Sequence, residues 1–530
     1  MSTLGQRDAI WTELQQQQHR LDVIIVGGGI TGAGILREAT RQGLKALLVE
    51  QRDFAWGTSS RSSKMVHGGL RYIAQGDIAL TRHSALERER LIREAPGLVE
   101  RMGYLFPIRK GQFPGKFLFN TLLTFYDTLA GIKTHGWHDA ATVMEHAPGI
   151  RGNGLKGAAY YTDAITDDAR LVLRVLQQAC KEGGRVLNYV TAEDLAKDKK
   201  GQVDGVVLKD QISGQSLTVH TNVVINATGA WVDNLRGKVS ADQTIRPLRG
   251  SHIIIPADKI PVREALTLFH PRDKRAVFIF PWEGRTVIGT TDLDHTPPLN
   301  EEPGITRAEV DYLLELARDQ FPDAQVTADD IISTYAGVRP VISKDRHKDP
   351  SKEKRDHKVW VEHGLVSVSG GKLTTFRLIA RDTLKAAKPF LQGIEFNNQQ
   401  EQVLDYPAAT PAALGLKNKT WATRMIGRYG DEVRALLQDA PANERDIIPG
   451  TQFCLAEMRW SCRNEQIVHL DDLMLRRTRV GLLLDSGGNA ILPSVKQICQ
   501  QELQWDDARW EQEADRYNTL WRHHYALPDA

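Results

Sequence analysis

The apolar positions of the first 50 residues alternate between short continuous runs and a helical repeat. Residues 22–26, DVIIV, form an apolar run that ends in three glycines, and residues 45–50, KALLVE, form a second run that ends in an acid. Such runs are typical of strands buried on both faces of a parallel sheet. Between them, residues 32–42 carry apolar side chains at helical spacing until Gly43. The pattern predicts one strand–helix–strand unit.

The middle of the chain has a different texture. Residues 203–208 and 216–224 predict a hairpin, and residues 224–229, VINATG, predict a further buried strand. Short apolar runs separated by turn residues then predict a mostly antiparallel sheet over about 245–300. The remaining predicted elements are a helix over 307–320 and strands over 331–335 and 365–368.

Two changes of composition divide the chain. Residues 1–20 are polar and rich in glutamine, and they predict an N-terminal extension with one short helix. From residue 405 a stretch rich in proline and alanine predicts a linker, and helical patterns follow it. We therefore predict an extension over 1–20, a main region over 21–404 and a helical C-terminal domain over 405–530.

Composition narrows the class of protein. The chain has 530 residues, 41% of them hydrophobic, and a formal net charge of +2, which describes a folded globular protein with no electrostatic reason to bind nucleic acid. The total conceals a net charge of −4 over residues 401–530 and +6 over the rest. Four cysteines without zinc spacing predict no metal site and fit a reducing compartment. We expect no signal peptide and no membrane-spanning helix, hence a cytoplasmic protein.

The glycine-rich loop after the first predicted strand carries the first chemical signal. Gly27, Gly29 and Gly32 fit GxGxxG, and Glu50 ends the next strand. Glycines there allow a tight turn and close approach of a pyrophosphate, and the following helix offers unpaired N–H groups to the phosphates. The carboxylate accepts ribose hydroxyls and disfavours a 2′-phosphate. The unit predicts a dinucleotide site other than an NADP site.

The residues after the second strand favour FAD over NAD. Residues 58–64, TSSRSSK, supply hydroxyl groups and two cations, and residues 65–72, MVHGGLRY, add a glycine pair. Such a loop offers donors to a pyrophosphate or an anionic flavin, and lets backbone lie against a flat ring. An NAD dehydrogenase would usually continue with alternating helices and strands at this point.

Eight stretches together resemble one family. The chain resembles the FAD-dependent glycerol-3-phosphate dehydrogenases of the respiratory, quinone-linked type, within the D-amino-acid-oxidase-like flavoproteins. The resemblance follows the family's order over about 22–385; the first 20 residues depart from it, and the helical tail matches more weakly. The stretches are VGGGITGAG (26–34), TSSRSSKMVHGGLRY (58–72), TDDARLV (166–172), NATGAWVD (226–233), GSHIIIP (250–256), FIFPWEGRTVIGTTD (278–292), YAGVRP (335–340) and SGGKLTTFR (369–377).

The resemblance implies an α/β fold: a Rossmann-like FAD-binding domain, discontinuous in sequence, a substrate domain on an antiparallel sheet, and a helical C-terminal domain. It implies oxidation of glycerol 3-phosphate to dihydroxyacetone phosphate, with hydride passing to FAD and electrons to membrane quinone. The implied FAD-binding residues are Gly27, Gly29, Ile30, Thr31, Gly32, Glu50, Thr58, Ser59, Ser60, Ser63, Lys64, His67, Gly68, Gly69, Leu70, Gly229, Gly370, Gly371, Lys372, Leu373 and Thr374.

The reaction requires a phosphate site and a proton acceptor. Guanidinium forks bind phosphate oxygens, so we predict Arg339, in a turn of YAGVRP, and Arg355 as phosphate ligands, with Arg71 and Tyr72 as further donors. Two histidines are candidates for the proton acceptor, His252 on the GSHIIIP strand and His67 in the flavin-side loop, and we predict His252 in preference to His67. Lys372 and Arg339 are predicted beside the reacting oxygen, where positive charge stabilises an alkoxide. Asp168 and Arg170 are interpreted as a helix cap and an ion pair outside the chemistry.

A membrane contact is predicted from one further segment. Residues 61–116 hold 11 basic and 5 acidic side chains, and the apolar run at 117–132 follows them. Basic surface beside an amphipathic apolar segment binds anionic lipid, which predicts peripheral attachment to the cytoplasmic membrane. The alternative is that this segment packs inside the substrate domain. A second copy of the chain, in a homodimer, is a further candidate partner.

Three rival functions remain open from the sequence. A glycerol-3-phosphate oxidase would carry out the same half-reaction with oxygen as the electron acceptor. An amine or amino-acid oxidase of the same superfamily would use Arg339 to bind a carboxylate. A flavin-bound membrane module without catalysis is the third, and it has no need of the cluster of Arg71, His252, Arg339 and Lys372.

Overall fold

The computed structural model describes residues 3–16, 20–70, 73, 77–112, 115–240, 242, 244–343, 353, 356–393 and 402–528. In chain order its strands are β1 (Leu21–Val26), β2 (Ala46–Val49), β3 (Met65–Val66), β4 (Val99–Arg109), β5 (Gly136–Asp139), β6 (Leu155–Thr166), β7 (Arg185–Leu187), β8 (Val190–Lys197), β9 (Val203–Asp210), β10 (Ser216–Asn226), β11 (Ile245–Pro256), β12 (Ala265–Phe269), β13 (Ala276–Trp282), β14 (Arg285–Gly289), β15 (Leu293–Asp294), β16 (Ser333–Ile342), β17 (His357–Glu362) and β18 (Leu365–Gly370).

The α-helices follow the same chain order. They are α1 (Arg7–Gln16), α2 (Ile30–Arg41), α3 (Ile78–Glu94), α4 (Lys116–Ala130), α5 (Ala140–His146), α6 (Asp168–Lys181), α7 (Val232–Arg236), α8 (Arg307–Gln320), α9 (Phe376–Ala387), α10 (Lys419–Tyr429), α11 (Val433–Asp439), α12 (Leu455–Asn464), α13 (Leu470–Asp472), α14 (Val480–Leu483), α15 (Leu492–Leu503) and α16 (Asp507–His524). A short π-helix, Leu473–Arg477, follows α13 directly.

The first sheet contains the predicted strand–helix–strand unit. Its strands run in the order β17-β18-β10-β1-β2-β7, and β18, β10, β1, β2 and β7 are parallel. Helices α2, α6 and α9 cover one face, where apolar residues of all three form one core with β1 and β2. The α/β class and the Rossmann-like unit predicted from the periodicity are confirmed.

Strand β10 corrects one detail of the predicted hairpin. The pattern predicts two strands, over 216–224 and 224–229, but the structure has one strand over Ser216–Asn226. Its first half pairs antiparallel with β9, and its second half pairs parallel with β1 and β18. A single strand can serve both because Val223 to Ile225 are buried on both faces, whereas the hairpin half alternates.

The second sheet is mostly antiparallel, as predicted, and larger than residues 245–300. Strands β11 to β14 form its centre, and β16 pairs with β11 over ten residues. Strands β3 to β6, which come from residues before 170, complete it, and β4 joins β12 in parallel. Their contribution was not predicted, because non-local strand pairing leaves no periodic signal in a sequence.

The two ends of the chain pack against the rest of the protein. On α1, Ile10, Trp11 and Leu14 are buried in a core shared with β1 and β2. The helices after residue 455 share a second core with the antiparallel sheet, in which Trp521 of α16 lies among residues that include Trp282 of β13. Within the described residues, no helix is long and apolar enough to cross a membrane.

Candidate active site

A cavity of about 1190 Å³ lies at the carboxyl ends of β1, β10 and β18 and continues over the second sheet. Val26, Gly229 and Gly370 line it on the first side, and Tyr104 and Phe278 line it on the second. The carboxyl edge of a parallel sheet is the usual ligand-binding edge of such folds. The volume exceeds the roughly 300–1,000 Å³ typical of small-molecule pockets, so the cavity can hold a dinucleotide together with a substrate.

The glycine loop between β1 and α2 requires glycine for space. Gly27 has a φ of +117°, and a Cβ there would lie 2.5 Å from the Ala227 carbonyl oxygen. A Cβ on Gly32 would lie 1.9 Å from the Gly27 carbonyl oxygen. Because no side chain fits at either position, the backbone of the loop packs closely and the N-terminus of α2 opens onto the cavity, where Gly29, Ile30 and Thr31 line its wall.

Glu50 closes the loop from the end of β2. Its carboxyl oxygens accept hydrogen bonds from the backbone N–H of Gly28, at 2.6 Å, and of Arg52, at 2.9 Å. Burial raises the pKa of Glu50, and these two N–H groups offset only part of that effect. The carboxyl group lines the cavity beside the glycine loop, at the position from which an acid can bind a ribose.

The segment 58–67 forms hydrogen bonds with several parts of the protein. The Ser59 hydroxyl accepts a hydrogen bond from the Ile30 N–H at 3.0 Å, and the Thr58 hydroxyl donates to the carbonyl oxygen of Val338. The Ser62 hydroxyl donates to Asp168 at 2.7 Å. Farther along, the His67 N–H donates to the Thr374 hydroxyl at 3.1 Å, which joins this segment to the loop after β18. These anchors hold the segment along the cavity wall.

His252 lies one residue behind the cavity surface. Its Nε2 is 2.9 Å from the hydroxyl of Ser63, and Ser63 lines the cavity. The imidazole stacks on the Tyr335 ring with centroids 4.5 Å apart, and a Cβ on Gly289 would lie 2.1 Å from its Cδ2 atom. The predicted proton acceptor is therefore linked to the cavity by a hydrogen bond with a serine hydroxyl.

The environment of His252 favours its neutral form. Burial lowers its pKa well below the ordinary value, and the positive charges of Arg339 and Lys64 lower it further. Its Nδ1 atom has no hydrogen-bond partner among the described residues. The low pKa keeps the imidazole neutral near neutral pH, and so able to accept a proton, although the same shift makes it a weaker base than an exposed histidine.

Lys64 differs from its predicted position. It is fully buried, and its ammonium group donates to the carbonyl oxygen of Ser60 at 2.6 Å and to Asp168 at 2.9 Å, and lies 4.7 Å from the centre of the Tyr335 ring. Burial lowers the pKa of Lys64 to about 8, although Asp168 opposes the shift. Lys64 therefore lies behind the cavity wall, beside the His252–Tyr335 stack. Asp168, interpreted from the sequence as a cap, holds Lys64 and Ser62 in place.

Arg339 lies within β16, and not in a turn as predicted. Its guanidinium donates to Asp292 at 2.9 Å and to the Thr290 hydroxyl at 2.9 Å, and all three side chains line the cavity. Arg275 also lines the cavity and lies 3.6 Å from the same aspartate. Strand β16 continues past Pro340. Among the described strands it pairs with β11, so the missing N–H of Pro340 costs no ladder bond on the other side of β16.

Lys372 reaches the cavity from the loop after β18. Its ammonium group donates to the Ser84 hydroxyl of α3 at 3.2 Å. Gly370 and Gly371 both have φ near +80°, and a Cβ on Gly371 would lie 2.4 Å from the Ile379 Cδ1 atom. Glycine is needed there because the chain turns sharply between β18 and the helix that follows it.

The cavity brings most of the predicted site residues together. Its wall includes the predicted residues Gly27, Gly29, Ile30, Thr31, Glu50, Thr58, Ser59, Ser63, His67, Gly69, Leu70, Gly229, Arg339, Gly370, Gly371, Lys372 and Leu373. Behind the wall lie Gly32, Ser60, Lys64, Gly68, His252 and Thr374. Arg71, Tyr72 and Arg355 lie outside the described residues. The sequence reasoning missed Trp56, Trp231, Arg275, Thr290 and Asp292; the last two stand in GTTD, where a hydroxyl and an acid beside glycine were the available signal.

The donor set of the cavity fits FAD. The indole Nε1 of Trp231 is buried, lines the cavity and has no partner among the described residues, so it is available to a ligand acceptor. A backbone cradle without Cβ atoms lies at one end, with Glu50 beside it. Apolar and aromatic walls continue past Leu70 to Tyr161, long enough for a second, flat group.

Comparison with known proteins agrees with this assignment. Residues 22–384 match the model of the FAD dependent oxidoreductase family, and residues 390–510 match the C-terminal domain of alpha-glycerophosphate oxidase. The chain is 35% identical over 509 residues to the aerobic glycerol-3-phosphate dehydrogenase of Staphylococcus haemolyticus, covering 90% of this chain and 89% of that protein. The protein of the same name from Staphylococcus aureus is 32% identical over 498 residues, covering 89% and 88%.

Solved structures show the same fold. The glycerol-3-phosphate dehydrogenase of Bacillus halodurans, complexed with FAD, superimposes with a TM-score of 0.74 at 27% identity, over 98% of both chains. The L-alpha-glycerophosphate oxidase of Mycoplasma pneumoniae, with FAD bound, has a TM-score of 0.56 at 17% identity, over 73% of this chain and 98% of that one.

The chain belongs to the FAD-dependent oxidoreductase family, and FAD is its cofactor. Within that family, the two relatives described above, both named aerobic glycerol-3-phosphate dehydrogenase, are matched over 89% and 88% of their own length. The predicted family and cofactor are confirmed.

Proposed function

We propose that this enzyme oxidises sn-glycerol 3-phosphate to dihydroxyacetone phosphate and passes the electrons to a membrane quinone. The observation that carries the proposal is the convergence of Arg339, the Ser63–His252 pair and Lys372 on the cavity that fits FAD. The names of the relatives support the same substrate.

Arg339 is proposed as a ligand of the substrate phosphate. Asp292 and Thr290 each accept a hydrogen bond from its guanidinium, which fixes the orientation of that group on the cavity wall before a substrate binds. Preorganised forks bind phosphate oxygens in pairs, and Arg275 adds a second positive charge on the same wall. The predicted contributions of Arg71, Tyr72 and Arg355 remain part of the proposal.

His252 is proposed to take the proton of the substrate's carbon-2 hydroxyl through Ser63. The Ser63 hydroxyl donates to Nε2 of the neutral imidazole, and it accepts the substrate proton as its own passes to the ring. Lys372 supplies a positive charge that stabilises the developing alkoxide. When bound, FAD accepts the hydride that leaves carbon 2 and passes the electrons on.

Anaerobic mixing of the holoprotein with glycerol 3-phosphate tests this proposal. We expect the flavin absorbance band to bleach with this substrate and to stay unchanged with glycerol, which lacks the phosphate, or with a D-amino acid. Bleaching by the amino acid alone would instead indicate the amine-oxidase alternative.

Helix α4 supports quinone as the acceptor and a peripheral membrane contact. Its apolar side chains divide between two faces: Phe119 and Leu122 line the cavity, whereas Phe117, Leu118 and Phe125 are exposed, Phe117 to 88%. The two alternatives drawn from the sequence, packing inside the protein and contact with a membrane, therefore apply to different faces of one helix. An exposed apolar face of this kind binds a lipid interface, and a quinone dissolved there would be close to the cavity.

Flotation with vesicles containing phosphatidylserine tests the membrane contact. We expect the wild-type protein to float, and Phe117→Ser/Phe125→Ser to remain at the bottom while anaerobic flavin reduction is retained. Leu293→Ser is the matched control and should float. Leu293 is also apolar and exposed, to 42%, but it lies on β15 of the second sheet, away from α4 in the chain. Equal recovery of the wild-type protein and both variants with the vesicles would exclude α4 as the contact.

Oxygen is a second candidate electron acceptor. The match of residues 390–510 to a domain of alpha-glycerophosphate oxidase favours it, because that protein's name describes an oxidase. Peroxide yield in air, compared with the rate of reduction of a soluble quinone, distinguishes the two.

The proposed homodimer is tested by light scattering of the purified protein, in which a monomer mass of 59.3 kDa would exclude it.

A further inference from the structure

The last turn of α16 lies behind the cofactor cavity. Tyr525, the residue after that helix, is 4% exposed, and its hydroxyl donates a hydrogen bond to the Glu302 carboxylate. The same hydroxyl oxygen accepts a hydrogen bond from the Arg61 guanidinium at 3.2 Å. The end of the chain therefore contacts the segment that forms the cavity wall.

Glu302 connects Tyr525 to two residues of the cavity wall. Its carboxylate accepts hydrogen bonds from Arg61 and from the indole N–H of Trp56, at 2.8 Å for the latter. Both Trp56 and Arg61 line the cavity. The Arg61 guanidinium lies 4.9 Å from the centre of the Trp56 ring, and the Arg52 guanidinium lies 4.3 Å from it. The indole is thus fixed by stacking as well as by its hydrogen bond.

The backbone at Tyr525 also contacts β16. The Tyr525 carbonyl oxygen accepts a hydrogen bond from the Thr334 N–H at 2.7 Å. Three residues farther along the strand, a Cβ on Gly337 would lie 2.6 Å from the Arg61 carbonyl oxygen. One residue at the end of the chain therefore contacts both the cavity-wall segment and the strand that carries Arg339.

The contacts join ionised groups away from water. Burial acts to raise the pKa of Glu302, but the Arg61 guanidinium and the Tyr525 hydroxyl outweigh it and hold that pKa below its ordinary value. Hydrogen bonds to buried charged groups are stronger than neutral ones, and losing one leaves the charge under-solvated. The Tyr525 hydroxyl is therefore expected to affect the order of Trp56 and Arg61 strongly.

We infer that Tyr525 is a positioning residue for FAD: through Glu302 it holds Trp56 and Arg61 in the geometry that retains the cofactor. Through this contact the C-terminal region contributes to cofactor binding. The inference rests on FAD binding in the described cavity and does not depend on which substrate or acceptor the enzyme uses.

Two tyrosines of the C-terminal region allow a matched comparison. Tyr525→Phe removes the hydroxyl and keeps the ring. Tyr517→Phe makes the same change on α16, where the buried hydroxyl donates at 2.6 Å to the carbonyl oxygen of Gly487, a residue that does not line the cavity. The readouts are the rate of FAD release from diluted holoprotein, followed by the recovery of free-flavin fluorescence, and the hydrogen exchange of backbone amides 56–63.

We expect Tyr525→Phe to release FAD about tenfold faster and to exchange faster over 56–63. Tyr517→Phe should match the wild type in both measurements even if it lowers the unfolding temperature as much. Equal FAD release from the two variants would overturn the inference. Glu302→Gln provides a second test: adding Tyr525→Phe to it should accelerate release no further, and fully additive effects would contradict a shared path through Glu302.

Discussion

Among the described residues, Ser63 connects the imidazole of His252 to the cofactor cavity, and its hydroxyl lies 2.9 Å from Nε2. His252 is 1% exposed, with the Tyr335 ring on one face and Gly289 against its edge. A base enclosed in this way keeps one orientation and one hydrogen-bond partner. Substrate protons must then pass through the serine, which makes both residues testable separately from FAD binding.

Ser63→Ala is expected to slow anaerobic reduction of the flavin by glycerol 3-phosphate about 100-fold, the usual magnitude of a lost acid–base contact. FAD content is measured in the same samples, and the rates are compared per bound flavin. The measurement is stopped-flow absorbance of the holoprotein. Ser251→Ala, which removes a buried hydroxyl bonded to Glu309 on the strand position next to His252, is the control and should reduce at the wild-type rate. An unchanged rate in Ser63→Ala would exclude the serine from the proton path.

Gly289→Ala is expected to displace the imidazole, because the new Cβ would lie 2.1 Å from His252 Cδ2. Overpacking of this kind costs about 1–3 kcal/mol and should slow flavin reduction roughly tenfold. Gly136→Ala, on β5 of the same sheet, meets no heavy atom within 4 Å and should change neither rate nor unfolding temperature. If both variants behaved as wild type, His252 would have room to move, contrary to the packing described here.

Arg339→Lys keeps the positive charge but loses the paired hydrogen bonds to Asp292 and Thr290. We expect the KM for glycerol 3-phosphate to rise about tenfold, since a lysine cannot present a fixed fork to a phosphate. The steady-state rate with a soluble quinone gives this value. Arg246→Lys, which alters an arginine paired with Asp294 and Glu353, is the control. A KM unchanged in Arg339→Lys would argue against phosphate binding at this residue.

The pH dependence of flavin reduction should reflect the cations near His252. The charged groups that face it are Arg339 on the adjacent strand and Lys64, with the neutral Tyr335 stacked on the ring. Reduction requires the neutral imidazole, so activity is lost as pH falls through its pKa. Because burial and both cations lower that pKa, the acid limb should lie well below pH 6.5.

Lys64→Met tests the sign of this effect. Removing a positive charge beside the ring makes the imidazolium less unfavourable, so the pKa of His252 rises and the acid limb moves to higher pH. The measurement is the rate of flavin reduction between pH 5 and 8 in the wild type and in Lys64→Met. The substrate's own ionisation affects both proteins equally and cancels in the comparison. Lys274→Met, at the cavity wall, is the control; a shift to lower pH in Lys64→Met would contradict the electrostatic argument.

The periodic parts of the fold could be predicted because their signal is local. Helix α8 was predicted over 307–320 and forms over Arg307–Gln320. The unit of β1, α2 and β2 was visible because a buried parallel strand and an amphipathic helix leave different patterns. Strands β4 and β6 escaped prediction as partners of β12 and β3, since pairing between distant segments depends on the assembled sheet.

The site residues divide in the same way, between those that a local motif predicts and those that depend on contacts between distant segments. The glycine loop and Glu50 are close in sequence, and the motif fixes their spacing. Trp56 lies in no quoted stretch, and its place in the cavity depends on Glu302 and on the end of the chain. Asp168 is separated from Lys64 by 104 residues. The sequence around Asp168 predicts a helix cap but gives no sign of its contact with that lysine.

The sequence by itself determined the α/β class and the dinucleotide loop, because these depend on spacings within a few tens of residues. Its loop over 58–72 favoured FAD, and the eight stretches over about 22–385 carried the resemblance to the family. Only the tertiary structure decided that His252 lies behind Ser63, that Lys64 is buried against Asp168, and that Tyr525 supports the cavity wall. The physical reason is burial. The free energy of a charged or hydrogen-bonded group depends on the partners that folding places around it, and those partners come from every part of the chain.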